Sequence, residues 1–103
     1  MIRHIVLWKF LETAGGCIRE ENLRTARSML LSLKEKIPEI RQLEVGLVER
    51  TTEESFDLAL NSLFDSREAL TGYQKHPEHV RVVGFLRTVQ SGKTVADFVI
   101  ETE

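Results

Sequence analysis

Cysteine, proline and long apolar runs are all scarce in this sequence, and each scarcity removes a class of function. The single cysteine, Cys17, can form no internal disulfide and has no second thiolate for a zinc site. Two prolines and six glycines in 103 residues are too few for a collagen-like chain or a proline-rich linker. A basic excess is also missing: 14 Lys and Arg stand against 16 Asp and Glu, a formal charge of −2. The phosphate neutralisation that drives most nucleic-acid binding then has no source, so nucleic acid is not an expected partner. Apolar runs such as Ile5–Trp8 and Phe98–Ile100 fall far short of the roughly 20 residues a membrane span needs. Met1 leads straight into a strand-like segment rather than a signal peptide, and a cytoplasmic protein without a membrane partner is the expectation.

What is present is an ordinary globular composition, 42% apolar and 29% charged, in a chain long enough for one hydrophobic core. Residues 1–103, free of repeats and low-complexity stretches, are therefore expected to form one domain. Residues 2–10 alternate as a strand, with His4, Val6, Trp8 and Phe10 on one face and Arg3, Ile5, Leu7 and Lys9 on the other. Residues 13–17, with Gly15-Gly16, read as a loop. Leu23, Ala26, Leu30, Leu33 and Ile37 then recur at spacings of three and four, which predicts an amphipathic helix over 19–36, stopped by Pro38. Alternation returns over 41–50 and again over 56–64, a hairpin around a polar tip. Asp65 or Ser66 can cap a short second helix, which breaks at His76-Pro77, with Pro77 opening a third. Val80, Val83, Leu86 and Val89 are expected on the buried side of the third helix, Ser91-Gly92 as the turn ending it, and 94–100 as a last strand.

A βαβ-βαβ order predicts an α+β, ferredoxin-like fold: a four-stranded antiparallel sheet with its helices on one face. The other face of such a sheet is normally polar. Here either choice of phase leaves apolar side chains on it, Ile5 and Leu7 or Ala59 and Leu63, with Val48 from the second strand. Each is worth roughly 1.5–3 kcal/mol when buried, and a contiguous exposed patch marks an interface. The expectation is a homodimer joined through the sheet face opposite the helices.

Several segments also resemble the Dabb family, the stress-responsive A/B barrel proteins. They are Ile2-Arg3-His4-Ile5-Val6-Leu7-Trp8-Lys9-Phe10, Lys36-Ile37-Pro38-Glu39-Ile40, Glu44-Val45-Gly46, Phe64-Asp65-Ser66, Tyr73-Gln74-Lys75-His76-Pro77-Glu78-His79-Val80 and Val95-Ala96-Asp97-Phe98. The resemblance implies ferredoxin-like protomers paired into a dimeric α+β barrel. It leaves the biochemical role open: most members have no assigned activity, plant members are associated with stress responses, and a minority resemble polyketide cyclases that work without metal or organic cofactor. In the cyclase-like members, histidines matching His4 and His79 do acid–base work and a tyrosine matching Tyr73 helps hold the substrate oxygen. A second pocket tyrosine of those members falls at Leu30, which cannot hydrogen-bond.

Histidine is the side chain whose ordinary pKa suits proton transfer near neutrality. The three here are His4, His76 and His79. A pocket between sheet and helices, lined by His4, Val6, Trp8, Leu30, Tyr73, His76 and His79, would take a small apolar or carbonyl ligand. In the bland alternative, His4 bonds a backbone carbonyl, His76 caps the broken helix and His79 packs at the sheet–helix junction. The enzymatic alternative is a cofactor-independent cyclase or lyase with His4 and His79 as acid–base residues and Tyr73 as donor. A third, haem-related or aromatic oxygenation, requires an axial ligand and a larger cavity. No metal or cofactor is expected: His76 and His79 lack a third ligand fixed by a motif, and Ser91-Gly92-Lys93 has Arg87 where a phosphate loop needs its upstream glycine.

Overall fold

The computed structural model describes residues 1–101. The elements run β1 (Ile2–Phe10), β2 (Thr13–Ala14), β3 (Cys17–Ile18), α1 (Arg19–Lys36), β4 (Gln42–Leu47), β5 (Leu58–Phe64), α2 (Arg67–Lys75), α3 (Pro77–Val89) and β6 (Gln90–Val99). The main sheet is antiparallel in the order β4-β5-β1-β6, the ferredoxin-like α+β fold. β1 alternates buried and half-buried residues along its whole length, with the even-numbered side chains beneath the helices. Its covered face meets Leu58, Leu60 and Phe64 of β5, Ala26, Leu30 and Leu33 of α1, Leu70 and Tyr73 of α2, and Val82, Leu86 and Val89 of α3, all buried. No helix among the described residues is long and apolar enough to cross a membrane.

The helix ends follow from local chemistry. Glu21 reaches back to accept from the Ile18 N–H at 3.1 Å at the start of α1, and beyond Lys36 the chain is extended at Ile37, ahead of Pro38. Ser66, not Asp65, caps α2, its Oγ accepting from Ala69 N–H at 3.1 Å. Asp65 instead pairs with Arg41 at 2.8 Å. At the break between α2 and α3, the His76 ring Nδ1 accepts from the Glu78 N–H at 3.1 Å and Pro77 takes the first helical position.

Four details differ from the sequence reading. Residues 13–18 form a two-stranded ribbon whose tip, Gly15 and Gly16, has φ of +60° and +80° at both central positions, the turn that glycine makes at no steric cost. The hairpin strands are shorter than their alternation, Gln42–Leu47 and Leu58–Phe64. α3 buries Val82, Leu86 and Val89 and leaves Val80 57% exposed, because its valines offer two overlapping stripes and only one lies over the sheet. Ser91-Gly92 is no turn: α3 runs directly into β6, where Lys9 pairs with Gly92 and Phe10 with Gln90, leaving Ser91 as an extra residue in a bulge.

Beside that bulge Asp57, buried, clamps the end of β1. Its carboxylate accepts from Phe10 N–H at 2.7 Å, its own N–H donates to the Trp8 carbonyl at 2.8 Å, and Arg50 Nε lies 3.2 Å from its second oxygen. Asp57→Ala strands the Phe10 N–H and should cost roughly 1.5–3 kcal/mol. Urea unfolding of the two proteins measures this as a lower midpoint at unchanged slope.

Candidate functional site

Between the covered sheet face and the helices lies a cavity of about 80 Å³. Its walls are His4, Val6 and Trp8 of β1, Leu30 of α1, Leu60 of β5, Tyr73 and Gln74 of α2, His79, Val83 and Leu86 of α3, and Lys93 and Val95 of β6. Of the residues singled out from sequence, His4, Val6, Trp8, Leu30, Tyr73 and His79 are therefore brought to one space. His76 is not among its walls, since its ring is occupied in capping α3. Leu30 supplies apolar wall, and the Trp8 indole N–H is buried without a protein partner.

The strand period places His4 on the covered face, and the antiparallel register of β1 and β6 sets Asp97 directly opposite it. His4 Nδ1 lies 2.5 Å from Asp97 Oδ1, and Arg67 Nη1 lies 3.7 Å from the other carboxylate oxygen. Ser62, the β5 residue paired with His4, donates its hydroxyl to the His4 carbonyl at 2.9 Å and holds the backbone beneath the ring. An ionised carboxylate can only accept, so the Nδ1 of His4 carries a hydrogen, and in the neutral ring it is Nε2 that holds the lone pair.

His79, in the first turn of α3, reaches the same tautomer by another route. Its Nδ1 donates to the Gln74 carbonyl at 3.1 Å, again leaving Nε2 with the lone pair. Its ring stacks at a tilt on Tyr73, centroids 4.4 Å apart, and Tyr73 continues the cluster to Phe64 at 4.8 Å and His4 at 6.2 Å. Desolvation by burial holds the His79 pKa below its ordinary value, the nearby charges of His4, Lys93 and His76 push the same way, and the Gln74 carbonyl opposes them. Burial pushes the Tyr73 phenol upward, so at neutral pH it is a neutral donor.

The folded chain binds a proton at His79 less readily than the unfolded chain, so this group's contribution to stability is flat above its ordinary pKa of 6.5 and falls as pH drops below it. Proton NMR should find the His79 ring titrating below that value, and unfolding free energy should decline over the same window.

Several wall residues escaped the sequence reading. So did Asp97, which is not a wall but pairs with the wall residue His4: its signal was an acid alternating with Val95 and Val99 on a strand, and its partner stands 93 residues away. Lys93, Gln74, Leu60, Val83, Leu86 and Val95 complete the walls. Among the described residues no group of three or more His, Cys, Asp or Glu is placed to hold a metal ion. The cavity thus offers two imidazole lone pairs, a phenol donor and apolar walls, the parts needed to take a proton from carbon beside a carbonyl and to hold the resulting oxyanion.

Solved structures share this architecture. A dimeric protein of unknown function with a ferredoxin-like fold from Bacteroides fragilis NCTC 9343 is 29% identical with a TM-score of 0.81, the match covering 96% of this chain and 95% of that one. A dimeric ferredoxin-like protein of unknown function from Thermobifida fusca is 21% identical at a TM-score of 0.84, over 96% and 90% of the two chains. The hydroxynitrile lyase of Passiflora edulis is 15% identical at 0.83, over 99% and 94%, a likeness of fold. No curated protein matches the sequence. The model of the stress responsive A/B barrel domain matches residues 2–100, and the chain belongs to that family.

Proposed function

We propose that this chain binds a small carbonyl compound in the cavity and catalyses proton transfer at the carbon beside the carbonyl, as a cofactor-independent lyase or cyclase does. The observation that carries the reading is the meeting of His4, His79 and Tyr73 on one cavity, with both imidazoles fixed in the tautomer that leaves Nε2 basic. His4 Nε2 takes the α-proton, and Asp97 offsets the charge the ring acquires. The electron pair of the broken C–H bond moves to the carbonyl oxygen, which the Tyr73 hydroxyl holds by a hydrogen bond. His4 returns a proton, exchanged with solvent, to the enolate carbon and regains its Nε2 lone pair, while His79, neutral at physiological pH with its own lone pair on Nε2, accepts a hydrogen bond from a donor group of the substrate.

Leu30 makes that wall apolar, so the oxyanion rests on one phenol. A fold neighbour named as a hydroxynitrile lyase supports carbonyl chemistry on this scaffold, and a haem-sized group exceeds a cavity of about 80 Å³. Incubation with a small ketone in D₂O tests the proposal: the protein should accelerate deuterium uptake at the α-carbon, followed by NMR, and a rate equal to the buffer's rejects it.

The protein is also proposed to act as a homodimer through the sheet face that the helices leave open. Ile5, Leu7, Ala59, Ala96 and Phe98 lie on it, with Phe98 48% exposed, whereas Leu63 on the same side of β5 is already buried within the chain, and relatives from B. fragilis and T. fusca are described as dimeric.

A further inference from the structure

We propose that the substrate is a carbonyl compound that also bears a carboxylate, which Lys93 and Arg87 hold in a groove outside the cavity. The inference rests on the carbonyl-binding reading of the inner cavity. That cavity, about 80 Å³, takes little more than a carbonyl and its neighbouring carbons, whereas sites for organic ligands usually run to several hundred Å³. The missing volume lies next to it. A groove of about 390 Å³ shares Gln74, His79, Val83 and Lys93 with the cavity and adds Arg87 and Val80. A ligand longer than the cavity leaves it along this groove.

The groove is apolar along α3 and cationic at its edges. Val80, 57% exposed, is a large apolar side chain that the fold leaves uncovered here, suited to a hydrocarbon segment. Lys93 and Arg87 stand on β6 and the last turn of α3, and neither enters an ion pair among the described residues. Of the neighbouring surface cations, Lys36 and Arg81 pair with Glu78 and Arg67 with Asp97, and Lys75, next to Gln74, does not line the groove. Two uncommitted cations at the rim of an apolar groove form an anion's end-point. The carbonyl then sits inward at Tyr73, the chain crosses Val80 and Val83, and the carboxylate stays at the wet rim, where its desolvation costs little.

The test compares straight-chain methyl-ketone acids, beginning with levulinate and lengthening by single methylenes, with their methyl esters. Dissociation constants come from NMR shifts of the His4 and His79 ring signals. At the matching length the acid should bind on the order of tenfold more tightly than its ester, the preference should shrink as salt is added, and it should fall to about one in a Lys93→Gln, Arg87→Gln double variant. If esters move the ring signals but acids of no length gain over them, the carboxylate proposal is overturned and the cavity reading stands. Retention of the acid preference in the double variant overturns it too, since other groups then read the charge. Should neither acids nor esters move the ring signals, the cavity reading itself fails and this inference with it.

Discussion

Replacing His4 by glutamine should slow ketone α-proton exchange by a factor on the order of 10² to 10⁴, the usual contribution of a positioned general base. Asp97→Asn should lose a comparable factor without touching substrate, because Asp97 acts through the His4 ring. Its carboxylate, 2.5 Å from Nδ1, can only accept; an amide can present its NH₂ instead and invite the tautomer whose Nε2 carries the hydrogen. The two losses are therefore one loss counted at two residues. The double variant should be about as slow as the slower single variant, where independent effects would multiply. Nitrogen NMR of the His4 ring gives a readout that a packing role for Asp97 does not move: a switch of the protonated nitrogen from Nδ1 to Nε2 in Asp97→Asn.

The other large effect is expected at Leu7. It points away from the helices, between Ala59 of β5 and Thr94 of β6, in the middle of the open face. If two such faces pack together, Leu7→Asp drives a carboxylate into an apolar contact, at a cost of several kcal/mol per protomer. Light scattering at micromolar concentration should give twice the 11.8 kDa chain mass for the parent and a halved mass, or loss of soluble protein, for the variant. A parent that scatters as a monomer contradicts the pairing. The edge of the face toward β4 is polar instead, with Arg3 donating to Asn61 at 3.3 Å and Asn61 to Glu44 at 3.1 Å. A mixed-charge rim around an apolar centre is how stable interfaces are commonly built.

The residues that carried the fold in the sequence were those whose effects are local. The bounds of α1 follow from apolar spacing and Pro38, the α2–α3 break from His76-Pro77, and the two faces of β1 from strict alternation. Non-local facts were harder to read. Asp97 meets His4 only once strand order and register are known, and nothing near either residue announces the other. The start of β6 was hidden because Ser91-Gly92, a turn signal anywhere else, here relieves a bulge against the end of β1. The buried stripe of α3 was ambiguous because Val80, Val82 and Val83 satisfy two helical faces equally, and the choice is made by the sheet beneath. The candidate site was half legible for the same reason. His4, Tyr73 and His79 could be named from residue chemistry and family likeness, while Asp97 and Lys93 came from the sheet edge that closes over them.

A crystal of the protein soaked with a small ketone would show directly how His4, Tyr73 and His79 meet a carbonyl. The carbonyl oxygen is expected within about 3 Å of the Tyr73 hydroxyl and the α-carbon turned toward His4 Nε2, with His79 across from it. A cavity closed by its own side chains, with His4 Nε2 bonded to protein and the ketone found only outside, would contradict it.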